Sequence, residues 1–293
     1  MKKAMNAFYA QSGGVTAVIN ATACGVIETS RKNKQVISNV YAGRNGIIGA
    51  LTEDMIDTNR ETKNTIHNLQ YMPGGVFGSA RYKLKSIKEN KAEYKRLIEV
   101  FKAHNIGYFF YNGGNDSMDT ANKISIMSKD MGFPIVSLGI PKTVDNDLPM
   151  TDNCPGFGSV AKYIAISTQE AALDVASMSK TSTKVFILEV MGRHAGWIAS
   201  AAGLVKKEKA DAPHIILFPE VPFEKKRFLS KVKESIKKYD YCVIVASEGT
   251  RYKNGSFLSD TGNKDAFGHA QLGGVAPILA QMISKNLNLK YHY

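Results

Sequence analysis

The sequence predicts an α/β fold with mostly parallel sheets, and three patterns lead to that expectation. Short apolar runs alternate with longer amphipathic segments along the 293 residues, as they do in βαβ units. The runs are almost continuously apolar, which is typical of strands that helices cover on both faces. Polar and glycine-rich stretches follow the apolar runs. We therefore expect the functional residues at the carboxyl ends of the strands.

The alternation gives the order of the elements. The apolar runs predict strands at 5–10, 36–42, 106–112, 134–140, 184–190, 214–218 and 241–247. The amphipathic segments predict helices at 15–32, 92–104, 117–131, 157–179 and 223–238. We expect a loop after the second strand. A chain of this length can form one large α/β domain or two moderate ones.

The composition limits the class of protein and of partner. Apolar residues make up 44% and charged residues 22%, and no apolar run reaches the roughly 18 residues of a membrane span, so we expect a soluble cytoplasmic protein with no membrane partner. The net charge is +12, but its lysines are spread without interleaved aromatic residues, which disfavours nucleic acid. Cys24, Cys154 and Cys242 lack the spacing of a zinc site or disulfide framework, so we expect reduced thiols.

Glycine pairs follow two of the predicted strands. Gly13–Gly14 and Gly113–Gly114 allow a tight turn and close backbone approach, which suits a phosphate held at a helix N-terminus. Such a pair is as often structural, and neither pair fits the Walker pattern. Arg81 follows another glycine-rich turn and would add positive charge.

The motif "PKTVDND" at 141–147 combines a lysine with two carboxylates. In an extended loop, Asp145 and Asp147 project to the same side while Asn146 points away. Such carboxylates could share a metal, could split their pKa values, or could supply one general base. A solvated or capping pair is the alternative. Lys142 beside them favours phosphoryl-group chemistry.

Two further strands are followed by charged residues. Arg193 and His194 come after the strand at 184–190 and could clamp an anion, whereas a solvent-facing pair is the alternative. Glu248 follows the strand at 241–247, where simple capping is the alternative. Their shared position at strand ends, more than any single residue, indicates a common site.

Six motifs, in this order, resemble the phosphofructokinase family over essentially the whole chain: "QSGGVTAVINA", "GGVFGSAR", "GGNDS", "PKTVDND", "EVMGRHAGW" and "SEGTR". The resemblance implies two Rossmann-like three-layer α/β/α domains with the active site in the cleft between them. Residues 1–158 with about 270–293 would bind the phosphoryl donor, and residues 159–269 would bind the sugar phosphate. It also implies transfer of a phosphoryl group to the 1-hydroxyl of fructose 6-phosphate.

The resemblance assigns roles to individual residues. Asp145 would accept the proton of that hydroxyl, with Asp147 and Thr143 beside it. Contacts to the sugar would come from Met191, Gly192, Arg193 and Glu248. Contacts to the donor would come from Gly13, Gly14, Arg81, Gly114, Asp116 and Lys142.

Asp116 and Lys142 are the residues that indicate the donor. Members of the family that use ATP resemble one another in having glycine at both places, and both replacements resemble the pyrophosphate-dependent branch. An aspartate where the inner phosphate of a nucleotide would pass adds repulsion and bulk. A lysine can neutralise the phosphate that departs from a smaller donor. The resemblance thus implies pyrophosphate and fructose 6-phosphate as substrates, in glycolysis.

The sequence also departs from the family pattern. Asn115 stands where many relatives have an aspartate associated with magnesium, so the expected Mg²⁺ would be held more by the oxygens of the donor. Lys184 stands where relatives often place an arginine that reaches the sugar phosphate of a neighbouring subunit, and it lacks the bidentate fork. Relatives usually continue beyond the segment resembling "GHAQLGGVAPILAQMISKNLNL", so an expected C-terminal part is missing after Tyr293.

The resemblance further implies a homo-oligomer, a dimer or a tetramer, because the sugar-phosphate site of the family is shared between subunits. Two alternatives stay open. One is an ATP-dependent 6-phosphofructokinase. The other is a truncated, non-catalytic paralogue that binds sugar phosphate.

Overall fold

The computed structural model describes residues 3–82, 84–85, 89–264 and 270–293. The chain forms two compact units, Met1–Thr143 and Val144–Tyr293. The predicted division grouped 144–158 and about 270–293 with the donor domain, whereas both segments belong to the second unit. The reason is packing, because Val275, Leu279 and Ile283 lie in the core of that unit. Gly268 and His269 of the C-terminal motif lie outside the described residues.

The first unit alternates strands and helices. Its elements are β1 (Met5–Gln11), α1 (Ile19–Lys32), β2 (Ile37–Gly43), α2 (Ile47–Thr52), β3 (Met55–Asp57), α3 (Lys63–Asn68), α4 (Lys91–Ala103), β4 (Ile106–Gly113), α5 (Asn115–Asp130) and β5 (Val136–Pro141). The strand order is β3-β2-β1-β4-β5. Every pair in this sheet is parallel except β2 with β3.

Helices cover both faces of this sheet. Alternate residues of β1 face opposite sides: Phe8 packs with Tyr94 and Phe101 of α4, whereas Tyr9 lies in a second cluster with Ala23 and Ile27 of α1. The unit is therefore a three-layer α/β/α structure.

The second unit repeats this architecture. Its elements are α6 (Phe157–Met178), β6 (Val185–Val190), α7 (Trp197–Ala201), β7 (Ile215–Leu217), α8 (Lys225–Tyr239), β8 (Cys242–Ser247), β9 (Asp260–Lys264), β10 (Ala270–Leu272), α9 (Val275–Leu287) and β11 (Tyr291–His292). The main sheet has the order β11-β6-β8-β7 with parallel pairing, and β9 pairs with β10 as an antiparallel ribbon.

Helices lie on both faces of the second sheet as well. α8 and α9 pack on one face through Phe228, Val232 and Leu279. α6 and α7 pack on the other face through Ile164 and Ile198. The predicted α/β class with mostly parallel sheets is confirmed in both units.

Two local expectations differ from the structure. The segment after β2, expected as a loop, contains α2, β3 and α3; helices of six residues are too short to show a clear 3.6-residue period. The first helix begins at Ile19 instead of residue 15, because the glycine-rich loop after β1 extends further than its apolar residues indicated.

The three cysteines are free and buried. Burial raises the pKa of the Cys242 thiol to about 12. In the part of the chain that the structure describes, no helix has the length and apolar character needed to cross a membrane.

Candidate active site

The predicted donor residues of the first unit meet at the carboxyl edge of its sheet. The loops after β1, β4 and β5 continue the strand ladder by one step, because Ser12 N–H donates to Asn112 O at 2.9 Å and Lys142 N–H donates to Gly113 O at 2.9 Å. This pairing fixes the three loops side by side. Residues separated by some 130 positions in the chain therefore lie within one small region.

Lys142 is buried against the glycine loop that follows β1. Its side chain is only 8% exposed. A Cβ at Gly13, where φ is +77°, would lie 3.5 Å from Lys142 Nζ, and a Cβ at Gly114 would lie 3.7 Å from the carbonyl oxygen of Lys142. Glycine at both positions thus leaves room for a small group beside the ammonium. This arrangement can bind a compact anion.

Arg81 approaches the same loop from the neighbouring segment. Gly13 N–H donates to Ala80 O at 3.0 Å, and Ser79 Oγ donates to Gly13 O at 2.6 Å. These bonds bring the Arg81 guanidinium to within 3.5 Å of where a Cβ of Gly14 would lie. Two cations therefore flank one glycine pair, which favours a ligand with several negative charges.

The N-terminus of α5 lies next to these cations. Gly114 precedes the helix, Asn115 is its first residue, and Asp116 lies in its first turn. Asn115 is exposed and Asp116 is half-buried. Free N–H groups of a first turn attract anions, but the Asp116 carboxylate opposes additional negative charge at this end of the helix. The site therefore favours a short anion over an extended polyphosphate.

The described residues contain no cluster of three or more histidine, cysteine, aspartate or glutamate side chains able to hold a metal. Mg²⁺ commonly takes most of its ligands from substrate phosphates and water, and needs only one or two protein oxygens. Asn115 and Asp116 can supply that number. The residues at the start of α5 thus fit a magnesium ion that is carried by a phosphorylated donor.

The carboxylate motif opens the second unit, because the boundary between the units falls between Thr143 and Val144. Asn146 is buried with φ at +56°, so the loop is not extended there as the sequence predicted. Its Oδ1 accepts a bond from Cys154 N–H at 2.7 Å, and its Nδ2 donates to Asp152 O at 3.1 Å. The amide thereby anchors the turn and leaves the half-buried Asp145 and Asp147 on either side of it.

The loop after β6 carries the predicted sugar contacts. Met191 is 55% exposed, Arg193 is half-buried, and Gly192 has φ of +126°. A Cβ at Gly192 would lie 2.5 Å from Ala195 O, so only glycine fits this turn. The Ser247 hydroxyl donates to Gly192 O and holds the loop from the neighbouring strand.

Glu248 follows β8, which pairs with β6. Its backbone N–H donates to Val190 O at 2.9 Å, so Glu248 begins its loop beside the one that carries Gly192 and Arg193. A Cβ at Gly249 would collide with Arg193 O, which shows how tightly the two loops pack. The structure therefore brings the predicted sugar-binding residues of β6 and β8 together.

Sequence reasoning missed two residues that hold these loops. One is Ser247, whose hydroxyl also accepts Gly249 N–H at 3.2 Å. The other is Arg251, which donates to Arg193 O at 3.0 Å and lies 4.4 Å over the Phe257 ring. The Arg251 side chain also contacts His194, so His194 meets a cation and not only solvent. A serine at the end of an apolar strand gives no sequence signal of such a partner.

Lys184 donates from Nζ to the carbonyl of Ser179 at 2.7 Å. Its ammonium therefore ties the residue after α6 to the start of β6. This contact lies within one chain.

Comparison with known proteins gives consistent similarities. A family model described as phosphofructokinase matches residues 6–292. The pyrophosphate–fructose 6-phosphate 1-phosphotransferase of Halomonas elongata is 63% identical over 288 residues, which are 98% of this chain and 69% of that protein. The protein of the same name from Methylococcus capsulatus is 60% identical over 290 residues, 99% of this chain and 69% of that protein. The crystal structure of a pyrophosphate-dependent phosphofructokinase from Nitrosospira multiformis is similar with a TM-score of 0.86 and 59% identity, covering 98% of this chain and 68% of that one.

Proposed function

Because the chain belongs to the phosphofructokinase family, we propose that it transfers a phosphoryl group from pyrophosphate to the 1-hydroxyl of fructose 6-phosphate. The products are fructose 1,6-bisphosphate and phosphate, and the reaction is reversible. The observation that carries the proposal is the buried Lys142 ammonium against Gly13, since this residue pair suits a small anionic donor. The names of the relatives at about 60% identity support the same donor and acceptor.

The donor is bound by the glycine loops and cations of the first unit. Backbone N–H groups of Gly14 and Gly114 approach the phosphate oxygens, Gly13 leaves room for the donor beside Lys142, and Arg81 and Lys142 neutralise its charge. Asp116 repels the additional phosphate of a nucleotide. As phosphate departs, Lys142 stabilises the negative charge that develops on it.

The base is Asp145. An alcohol is a poor nucleophile, so its proton passes to the Asp145 carboxylate as the 1-oxygen bonds to phosphorus. The bond from phosphorus to the bridging oxygen breaks, and that electron pair leaves with the phosphate. Asp147 supports the charge and orientation of this loop. Asn115 would provide a protein oxygen for a magnesium ion carried by pyrophosphate, and that ion would supply positive charge at the donor oxygens.

The acceptor is bound by the two paired loops of the second unit, with Thr143 at the preceding segment. Met191, Gly192 and Arg193 hold the sugar phosphate, and Glu248 accepts hydrogen bonds from the sugar hydroxyls. The hydrogen bond from the Ser247 hydroxyl to Gly192 O fixes the conformation of the loop after β6, which carries these proposed sugar contacts. Positioning of the acceptor and charge neutralisation at the donor thus supply most of the catalysis.

We further propose that the enzyme is a homo-oligomer. On α6, Tyr163 is 67%, Ile166 43% and Leu173 66% exposed. Their spacing places them in one stripe of the helix. A stripe of large apolar side chains of this kind favours burial against a second copy of the chain.

A matrix of donors against acceptors tests the proposal. Purified protein with Mg²⁺ should convert fructose 6-phosphate with pyrophosphate much faster than with ATP, and sedoheptulose 7-phosphate reports the acceptor range. Turnover with ATP and none with pyrophosphate would contradict the donor. Binding of sugar phosphate with no turnover for either donor would favour the non-catalytic alternative.

A further inference from the structure

A buried pair of amide side chains lies beneath the donor loops of the first unit. Asn20, in the first turn of α1, is 1% exposed, and Gln11, the last residue of β1, is 0% exposed. Gln11 Nε2 lies 3.5 Å from Asn20 Oδ1 and 3.4 Å from the Tyr9 hydroxyl. Buried amides cost free energy unless they are paired. The partners of Asn20 therefore indicate what this pair does.

Asn20 holds the segment that leads to Arg81. Its Nδ2 donates to Met72 O at 3.1 Å, and its Oδ1 accepts Val76 N–H at 2.9 Å. The two bonds bracket the Pro-Gly-Gly stretch at 73–75. One side chain thus replaces the backbone partners that this irregular segment would otherwise need.

Gln11, at the end of β1, lies close to the same segment. Gly75 passes so close that a Cβ there would lie 2.8 Å from Gln11 Oε1 and 2.8 Å from Val15 Cγ1. Any side chain at this position would push the segment away from β1. Gly75 and the buried Gln11 together determine how closely the segment approaches β1.

The other end of this segment reaches the donor loop. Residues 79 and 80 bond to Gly13, and the Arg81 guanidinium lies beside Gly14. Between the two anchored ends, Gly74 and Gly78 have φ of +85° and +75°. Glycines give a loop large conformational freedom, so the position of Arg81 depends on both anchors.

We propose that Asn20, supported by Gln11, is a positioning residue for pyrophosphate binding. It pins residues 72–76 and thereby sets where the loop places the Arg81 guanidinium relative to Gly14. It acts through Arg81 and not on the donor itself. The proposal rests on the proposed function, since it assumes that Arg81 binds the donor.

The first test is the Asn20→Ala variant, with magnesium pyrophosphate binding measured by calorimetry. Loss of two buried hydrogen bonds should weaken pyrophosphate affinity by about tenfold. The KM for pyrophosphate should rise by a similar factor, while the KM for fructose 6-phosphate stays within about twofold. A merely structural role would not raise the KM for pyrophosphate while leaving the KM for fructose 6-phosphate nearly unchanged.

A matched control is Asn6→Ala, at the amino end of β1. Asn6 Nδ2 donates to His104 O at 2.8 Å, so this variant removes the same kind of bond from the same unit, far from the carboxyl ends of the strands. It should lower stability and leave pyrophosphate affinity unchanged. If Asn20→Ala fails to fold, Gly75→Ala shifts the same segment with Asn20 intact and should give the same loss of pyrophosphate affinity.

A double-mutant cycle identifies the route of the effect. In an Arg81→Ala background, Asn20→Ala should change pyrophosphate affinity by less than about twofold. An equal tenfold loss in both backgrounds would overturn the proposal. Wild type is measured first, and if it neither binds nor uses pyrophosphate, the proposed donor is wrong. If wild type, Asn20→Ala and Gly75→Ala all bind pyrophosphate equally tightly, the positioning role is refuted but the proposed function is not.

Discussion

Lys142 and Asp116 place opposite charges at two neighbouring strand ends, and we propose that together they set which donor fits. Replacing both by glycine removes the repulsion of an inner phosphate and the cation suited to a small leaving group. We expect the Asp116→Gly/Lys142→Gly variant to gain about tenfold or more in kcat/KM for ATP and to lose pyrophosphate use, as relief of like-charge contact allows. Steady-state kinetics with both donors measures this.

The control for this variant lies one turn further along α5. Asp119 is exposed and pairs with Lys123, so Asp119→Asn should leave the preference between donors as in wild type. A double-glycine variant that gains nothing with ATP would show that these two side chains do not select the donor.

Asp145 is the residue that we propose as the base in the proton transfer. Asp145→Asn keeps the shape of the side chain but cannot take a proton, so kcat should fall by about 10²–10⁴-fold while pyrophosphate still binds. Single-turnover assays and calorimetry measure the two effects separately. The control is Asp152→Asn, which changes an exposed carboxylate of the same loop and should leave turnover normal. Near-normal turnover of the Asp145→Asn variant would exclude Asp145 as the base.

At the scale of elements, the loop after β6 is constrained by a backbone that only glycine adopts easily. Gly192→Ala places a Cβ at 2.5 Å from Ala195 O at a φ of +126°. Strain of about 1–3 kcal/mol should displace the loop and raise the KM for fructose 6-phosphate by about tenfold. Pyrophosphate affinity should not change, because the proposed donor residues belong to the first unit.

Gly158→Ala is the matched control in the same unit. This glycine lies in α6, and a Cβ there meets nothing within 4 Å. The variant should increase the free energy of unfolding by about 0.5–1 kcal/mol and leave both KM values unchanged. If Gly192→Ala behaves like Gly158→Ala, the loop after β6 does not form the sugar contact.

The start of β7 holds a histidine that resists protonation. Burial, together with the charge of nearby Lys206, lowers the pKa of His214 from 6.5 to about 4. The ring nitrogen Nδ1 accepts Val243 N–H at 3.0 Å, a bond that needs the unprotonated nitrogen. The unfolded chain binds a proton below pH 6.5, whereas the folded ring does not until about pH 4, so the free energy of unfolding decreases as pH falls through that window.

Proton NMR of the His214 ring checks this expectation. Its resonance should stay in the neutral position down to about pH 5 in the folded protein. A titration centred near the ordinary value for histidine would contradict the burial of the ring. A His214→Gln variant should show a weaker decrease in stability between these pH values.

At the scale of the whole molecule, the apolar stripe on α6 leads us to expect that the chain assembles into an oligomer. We expect sedimentation analysis to show a dimer or tetramer. Leu173→Glu should shift it toward the monomer, because a buried unpaired charge is destabilising in an interface. Val221→Glu is a control, since Val221 is also about half exposed but lies outside α6. A monomeric wild type would refute the proposed oligomer.

Much of the fold was predictable because an apolar run marks each of the strands β1, β2, β4, β5, β6, β7 and β8, and the rule that ligands bind beyond strand ends grouped the loops. The short strands β3, β9, β10 and β11 were not predicted. Division into units was less predictable, since no linker marks the boundary and α9 joins the second unit through contacts with β6 that are distant in sequence.

The residues that hold the site were beyond the reach of sequence patterns. Ser247 bonds to a carbonyl 55 positions earlier, and Asn20 bonds to an amide 56 positions later. A serine at a strand end or an asparagine in a helix gives no sign of such a partner. Charged residues at strand ends were recognised because few roles other than a functional one explain several of them together. Neutral hydrogen-bonding residues can have many structural roles, so their positions in the sequence did not single them out.

The position of β5 at the end of the first sheet affects how this chain can be handled. Among the described strands it pairs with β4 alone, and Val136 and Leu138 on one of its faces are 52% and 47% exposed. An edge with free backbone groups and large apolar side chains is a template for strand addition by another chain. We therefore expect concentrated preparations to aggregate through β5, and Leu138→Lys should interrupt that route without touching a proposed substrate contact.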